Sequence, residues 1–242
     1  MEIITRDSSF TIFNETFQEC YHSTNDGAYN ETLYKHVIPA FNHIKNKQHI
    51  KILDICFGLG YNTLCFLNHA QENLYQGTIE IHSPEINLID NLYTYKYPKA
   101  FDLNILKSLC KTHSYKDKKT NVFLHIGDAR DTIRRFVQNN LKFDIIFQDA
   151  FSPIKNKKLW SYEYFKDLYK ITKKDSIITT YSLNSSMLYS AFLAGFKSYK
   201  LKHDTIKDSV IMLKNTLNVD NTKEIDINNK IRVNKSLIGI YD

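Results

Sequence analysis

Asp149 is the residue with the clearest capacity for chemistry in this chain. It follows an almost unbroken apolar run, Phe143-Asp144-Ile145-Ile146-Phe147-Gln148, that reads as a strand buried on both faces. Pro153 has no backbone N–H and ends any ladder there. Ligands of open parallel sheets bind outside the carboxyl ends of the strands. A carboxylate at that place can hydrogen-bond an amine and fix its direction. Lys155, Lys157 and Lys158 follow, placed to meet phosphates, and then Trp160, the single tryptophan. A solvated helix start is the other reading of these lysines, but cations at a helix amino terminus oppose its dipole.

Three further acids occupy similar positions. Asp54 lies in the expected strand 50–57, ahead of the turn Gly58-Leu59-Gly60 and a helix from Tyr61 to Ala70. Strand, glycine turn and helix open a nucleotide-binding unit, because glycines admit a close ligand and the helix start offers free N–H groups. A dinucleotide fingerprint would need glycine at the position of Thr63. With Asp54 ahead of the turn, the pattern suits a cationic ligand such as a sulfonium with an amino-acid tail; an ordinary tight turn is the alternative. Glu85 closes the strand 78–85, where nucleotide-binding sheets place an acid for ribose hydroxyls. Asp128, after Gly127, has two compatible readings, a helix N-cap and an acceptor for an adenine amine.

The elements that must position these residues alternate. A hairpin (Ile3–Thr5 with Phe10–Phe13) leads into a helix with Leu33, Val37, Ile38 and Phe41 at helical spacing, either a packing helix or a flap hinged at Gly27. Residues 87–110 are expected to be helical with a break at Pro98. Strand 121–126, helix 130–139, helix 157–171, strand 176–181 and a helix ending at Gly195 follow, then an antiparallel pair at 196–203 and 209–214. Residues 216–242 are polar, with at most a faint helical pattern. Strands alternating with helices predict a doubly wound, mostly parallel sheet. The reversed last strand points to an α/β class I (Rossmann-like) fold, seven-stranded, with a short N-terminal extension.

The 242 residues, 43% hydrophobic, suffice for one α/β domain with additions. The net charge of +6 permits a polyanionic partner without demanding one. Cys20, Cys56, Cys65 and Cys110 show no metal-ligand spacing and read as reduced thiols, and no apolar run suggests secretion or a membrane span. A cytoplasmic protein with no metal is expected.

Several segments together resemble one family, the S-adenosylmethionine-dependent methyltransferases that finish 5-methylaminomethyluridine at the tRNA wobble position (MnmD, the methyltransferase half of MnmC). The family's cofactor turn, E-x-G-F-G-T-G-x-N, is similar to Asp54-Ile55-Cys56-Phe57-Gly58-Leu59-Gly60-Tyr61-Asn62, with aspartate for glutamate and Cys56 for the first glycine. Ser83-Pro84-Glu85 and Gly127-Asp128 match its strand ends. Its signature D-A-F-S-P-x-K-N-P-x-x-W matches residues 149–160, with Lys157 in place of the second proline. Thr180-Tyr181-Ser182-Leu183-Asn184 and Ala194-Gly195-Phe196 also fit. The resemblance covers about residues 25–215. A basic G-x-K-R segment usual in the family is replaced by Thr205-Ile206-Lys207-Asp208-Ser209.

The resemblance implies an N-terminal extension (1–45), a methyltransferase domain (46–215) and a polar tail (216–242), similar to the stand-alone form, without flavin. It implies S-adenosylmethionine held by Asp54, Cys56, Phe57, Gly58, Gly60, Asn62, Glu85, Gly127, Asp128, Ala129, Asp149 and Ala150. Asp149 would orient the amine for an SN2 transfer. Phe151, Ser152 and Pro153 would hold a flipped wobble uracil, and Lys155, Lys157 and Lys158 the phosphates of the anticodon stem-loop, with no stable protein partner. Two rival functions remain open: a methyl- or aminopropyltransferase acting on a small polyamine, and a non-catalytic RNA-binding module on a methyltransferase fold. The basic segment after Asp149 counts against the first; Cys56 and the missing G-x-K-R support the second.

Overall fold

Continuous apolar runs need cover on both faces, and helices supply it here. The structure, a computed structural model, describes residues 2–98, 100–216 and 221–242. Its strands are β1 (Glu2–Ile4), β2 (Phe10–Asn14), β3 (Glu19–Cys20), β4 (His49–Ile55), β5 (Thr78–Glu85), β6 (Ser114–Lys116), β7 (Thr120–Ile126), β8 (Phe143–Gln148), β9 (Thr172–Thr180), β10 (Lys197–Leu201), β11 (Ser209–Leu213) and β12 (Thr222–Glu224). Its helices are α1 (Ala28–Glu31), α2 (Ile38–Ile44), α3 (Tyr61–Glu72), α4 (Leu103–Thr112), α5 (Ala129–Gln138), α6 (Tyr162–Ile171), α7 (Ser185–Leu193) and α8 (Ile227–Val233). A π-helical turn, Thr32–Val37, joins α1 to α2.

The main sheet runs β12-β10-β11-β9-β8-β4-β5-β7-β6. Strands β9, β8, β4, β5 and β7 are parallel neighbours, and β11 is antiparallel to β9. The seven central strands have the expected arrangement, but the sheet has nine. The additions, β6 and β12, are short polar edge strands (SYK and TKE) that carry no apolar periodicity and are held by antiparallel backbone pairing. Alternate side chains of β4 and β8 enter two cores. Ile50, Ile52, Ile145 and Phe147 face α3, α4 and the helix of residues 28–44, whereas Leu53, Ile55, Phe143 and Ile146 face α5, α6 and α7.

Other local expectations change. Residues 87–98 form no continuous helix; they make a loop with a 3-10 turn at Leu92–Thr94, and α4 starts behind the Asp102 cap. Their aromatics pack inward, Tyr97 and Phe101 beside Tyr61. The helix expected from residue 157 begins at Tyr162, capped by Ser161, so Lys155, Lys157 and Lys158 precede it and the dipole argument does not apply to them. The chain after 221 adds β12 and α8, buries Ile227, and ends with Asp242 paired to Arg130 and bonded to Ser161 at 2.6 Å. Among the described residues no helix is long and apolar enough to cross a membrane.

Strands β1, β2 and β3 form a separate small sheet. Asp7 in its first turn accepts the N–H of Asn30 at 2.8 Å, and Ser9 Oγ accepts that of Tyr29 at 3.1 Å. Gly27 (φ +89°) is pressed against Asp7, whose carboxyl carbon lies 2.1 Å from where a Cβ would stand. The position therefore admits no side chain, and the helix behind it packs in the core.

Candidate active site

The turn after β4 is wound through three left-handed residues, Cys56 (φ +65°), Gly58 (φ +54°) and Gly60 (φ +76°). Gly60 has no room for a side chain, since a Cβ would lie 2.8 Å from the Phe57 ring. This tight path starts α3 at once and brings its first turn over β4. Asp54, wholly buried, accepts from Asn62 Nδ2 (3.2 Å) and Thr63 Oγ1 (2.8 Å). Asp54 therefore lies under the turn and lines no cavity. Burial, with the Asp149 charge nearby, pushes its carboxyl up to about 7 despite those two donors. Glu85 accepts the N–H of Gly58 at 2.8 Å and of Asn87 at 2.9 Å; burial raises its pKa and these amides offset part of the rise.

Asp149 is approached from two sides. Asn62 Nδ2 donates to its Oδ2 at 2.9 Å, so one amide bridges Asp54 and Asp149. His36 Nε2 stands 3.5 Å from its Oδ1. His36 is fully buried, with Nδ1 2.9 Å from Thr179 Oγ1 and its ring edge-on to Phe147. It sits in the π turn, whose extra residue brings Lys35, His36 and Val37 all onto the buried side. The loop after Asp149 is pinned by three bonds. Trp160 Nε1 donates to Phe151 O (2.8 Å), Tyr181 Oη to Ala150 O (2.9 Å), and Glu19 accepts Ser152 N–H (3.0 Å). Trp160 is wholly buried, so it is a staple and not a wall of the site.

Two cavities meet here. The first, of about 410 Å³, is lined by Cys56, Phe57, Gly58, Asn62, Glu85, Asp128, Ala129, Asp149, Ala150, Phe151, Lys155, Lys157 and Lys158. Asp54, Gly60, Gly127, Ser152 and Pro153, also expected at the site, do not line it. The first two build the turn, Ser152 is tied to Glu19, and Pro153 is buried. Phe151 stacks on Phe17 (4.5 Å, 21°), so part of the ring expected against a base is already covered. Asp128 caps α5 through Arg130 N–H at 2.7 Å and is exposed at the cavity. The three lysines are exposed and make no ion pair among the described residues.

The roof was not foreseen. Asn14, Phe17, Tyr21 and His22 close the first cavity from the small N-terminal sheet. A second cavity, of about 350 Å³, shares Tyr21, His22, Asp149 and Tyr181 with the first and includes Asp26, Glu31 and Lys35. Lys35 Nζ lies 2.7 Å from Asp26 and 3.0 Å from Glu31. Burial opposes the Glu31 charge, but His22 and Lys35 hold its carboxyl down to about 2. Burial likewise opposes a charged His22, and the facing Glu31 and Asp149 raise its pKa on balance. The signal in the sequence was Glu31 and Lys35 at i, i+4 inside a helix otherwise marked as core. The Cys56 thiol is pushed well up by burial and by Glu85 and Asp149, which keeps it protonated. Among the described residues no group of His, Cys, Asp or Glu is arranged to hold a metal.

The fold and the acids at its strand ends suit an S-adenosyl-L-methionine-dependent methyltransferase, and comparison with known proteins supports that class. Residues 93–212 match the family model described as S-adenosyl-L-methionine-dependent methyltransferase. The crystal structure of MnmC2 from Aquifex aeolicus superposes on the whole chain with a TM-score of 0.88 at 27% identity, covering 78% of that chain. An uncharacterized protein of Methanocaldococcus jannaschii is 29% identical over 185 residues, 74% of this chain and 49% of its own. The tRNA 5-methylaminomethyl-2-thiouridine biosynthesis bifunctional protein MnmC of an Azoarcus species is 25% identical over 208 residues, 78% of this chain and 32% of its own. The chain thus spans half or less of these curated relatives. It is similar over about half its length to that methyltransferase family, and over most of its length to MnmC proteins and MnmC2.

Proposed function

We propose that the chain N-methylates 5-aminomethyl(-2-thio)uridine at the tRNA wobble position, giving 5-methylaminomethyl(-2-thio)uridine. The observation that carries this reading is Asp149, a carboxylate on the wall shared by two cavities, braced by Asn62 and facing His36. The MnmC names of the relatives support the substrate.

The first cavity suits S-adenosylmethionine. Asn62 Oδ1 is buried without a partner and can accept from a ligand's ammonium. Glu85 can accept ribose hydroxyls, and at Gly127 an added Cβ would meet nothing within 4 Å, leaving the backbone open beside Asp128. When bound, the cofactor supplies an electrophilic methyl on a sulfonium. Asp149 accepts a hydrogen bond from the amine and aims its lone pair. Orientation of the amine, and not removal of its proton, is the role assigned to Asp149. Lys155, Lys157 and Lys158 take phosphates at the mouth of the first cavity.

A polyamine acceptor is the second reading, favoured by the carboxylates of the second cavity. Nucleoside mass spectrometry of tRNA from cells with and without the gene separates the two. Loss of the gene should leave the aminomethyl nucleoside in place of the methylaminomethyl form. An unchanged tRNA profile, with purified protein methylating spermidine and not tRNA, would overturn the tRNA reading.

A further inference from the structure

The second cavity touches the first along one wall, formed by Tyr21, His22, Asp149 and Tyr181. Its volume of about 350 Å³ lies within the range of small-molecule sites. Five carboxylates line it, from Glu19, Asp26, Glu31, Asp149 and Asp208, against two ammonium groups, Lys35 and Lys207, and the His22 imidazole. Three of the five are already matched. Lys35 serves Asp26 and Glu31, and Lys200 stands 2.6 Å from Asp208.

Among the described residues Glu19 and Asp149 have no lysine or arginine partner. Each receives one short N–H bond, from Ser152 (3.0 Å) and from Asn62 (2.9 Å). A carboxylate offers about four acceptor positions, so both keep capacity facing the cavity. Among the described residues Glu19 has no cationic partner and Asp149 faces only histidines, His36 at 3.5 Å and His22, so an incoming cation adds a counter-charge to both.

We infer, on the amine-methylation reading above, that the second cavity receives the acceptor as a primary alkylammonium, with Asp149 and Glu19 as its counter-charges. In-line displacement needs the nitrogen on the side of the methyl away from sulfur, and Asp149 lines both cavities. The ammonium first releases one proton to water. The two carboxylates hold the ammonium until that loss, which must precede attack. The freed lone pair then forms the nitrogen–carbon bond while the carbon–sulfur bond breaks and its electron pair stays on sulfur. The products are a secondary ammonium and a neutral thioether. A uridine-borne amine and a free polyamine present the same group, so the cavity chemistry is common to both sources.

The test is calorimetric titration of S-adenosylhomocysteine-loaded protein with 5-aminomethyluridine, uridine and spermidine. Leu183, 39% exposed, lines the second cavity and not the first, so Leu183→Trp fills it without entering the cofactor site. Glu19→Gln keeps an acceptor for Ser152 and removes the charge. Wild-type protein should bind 5-aminomethyluridine about tenfold or more tighter than uridine. Both variants should lose that preference while holding S-adenosylhomocysteine within about twofold. Spermidine binding in place of the nucleoside, lost in the same variants, would keep the cavity assignment and remove the tRNA-borne amine. Equal binding of uridine and 5-aminomethyluridine, wild-type binding by Leu183→Trp, or no binding of any probe would overturn the assignment. Methylation of tRNA by the wild-type protein would then still stand.

Discussion

Asp54 and Glu31 are both buried carboxylates within the same site, and they are buried by opposite means. Asp54 has an amide and a hydroxyl for company, with Asp149 close by, and its carboxyl rises to about 7. Glu31 has Lys35 and His22, and its carboxyl falls to about 2. The turn beside the first cavity is thus held with neutral donors around a carboxyl that can lose its charge. The floor of the second is held with matched charges that stay ionised. Two buried acids a short way apart therefore sit in different fields, one among neutral donors and one among matched charges.

The largest effect should come from breaking the matched side. Lys35→Met leaves Asp26 and Glu31 buried without their ammonium and should cost about 3–5 kcal/mol of stability in denaturant unfolding. A loss below about 1 kcal/mol, the range of an exposed pair, would mean that these charges are not truly buried.

Acid–base titration of stability sharpens the contrast. Asp54 keeps its proton when folded, up to about pH 7, whereas the unfolded chain releases it near 4, so its contribution to stability declines as pH rises through that window. Glu31 behaves oppositely: the unfolded chain binds a proton near 4.5 and the folded one near 2, so its contribution is lost as pH falls between them. Asp54→Asn should flatten the stability curve between about pH 4 and 7 and leave the acid limb intact. An unaltered slope in the variant would assign that limb to another group.

On the cofactor side, Glu85→Ala should weaken S-adenosylmethionine binding by about 1.5–3 kcal/mol, the range for hydrogen bonds to a charged group. Unchanged affinity by calorimetry would remove Glu85 from the site. The smallest effect belongs to Cys56→Gly. A left-handed non-glycine residue costs about 1–2 kcal/mol, and glycine adds about 0.5–1 kcal/mol of chain entropy, so the variant should gain about 0–1.5 kcal/mol and stay active. Loss of turnover in Cys56→Gly with cofactor still bound would show a chemical role for the thiol.

Features carried by short stretches were legible in the sequence. The apolar runs of β4, β5 and β8 and the acids at their ends place Asp54, Glu85 and Asp149 near one edge, and the left-handed Cys56 stands where the related turn has glycine. Features made by distant pairs were not. Glu19 meets Ser152 across 133 positions and His36 meets Thr179 across 143, and neither spacing leaves a local pattern. The π turn hid His36 because helical spacing assigns the buried face by a period of 3.6, and one extra residue shifts that face. Polar edge strands such as β12 pair through the backbone, which side-chain periodicity cannot report.

The central claim is that Asp149 governs the chemical step by orienting an amine at the wall between the two cavities. Its most direct test is single-turnover methyl transfer by Asp149→Ala and Asp149→Asn from pH 6 to 10. Alanine should lower the rate by about 10²–10⁴, with cofactor affinity retained, and asparagine, which keeps a carbonyl acceptor, should remain clearly faster than alanine. Equal losses in both, rescued alike by raising the pH, would make proton removal its role, and wild-type rates in both would contradict the account.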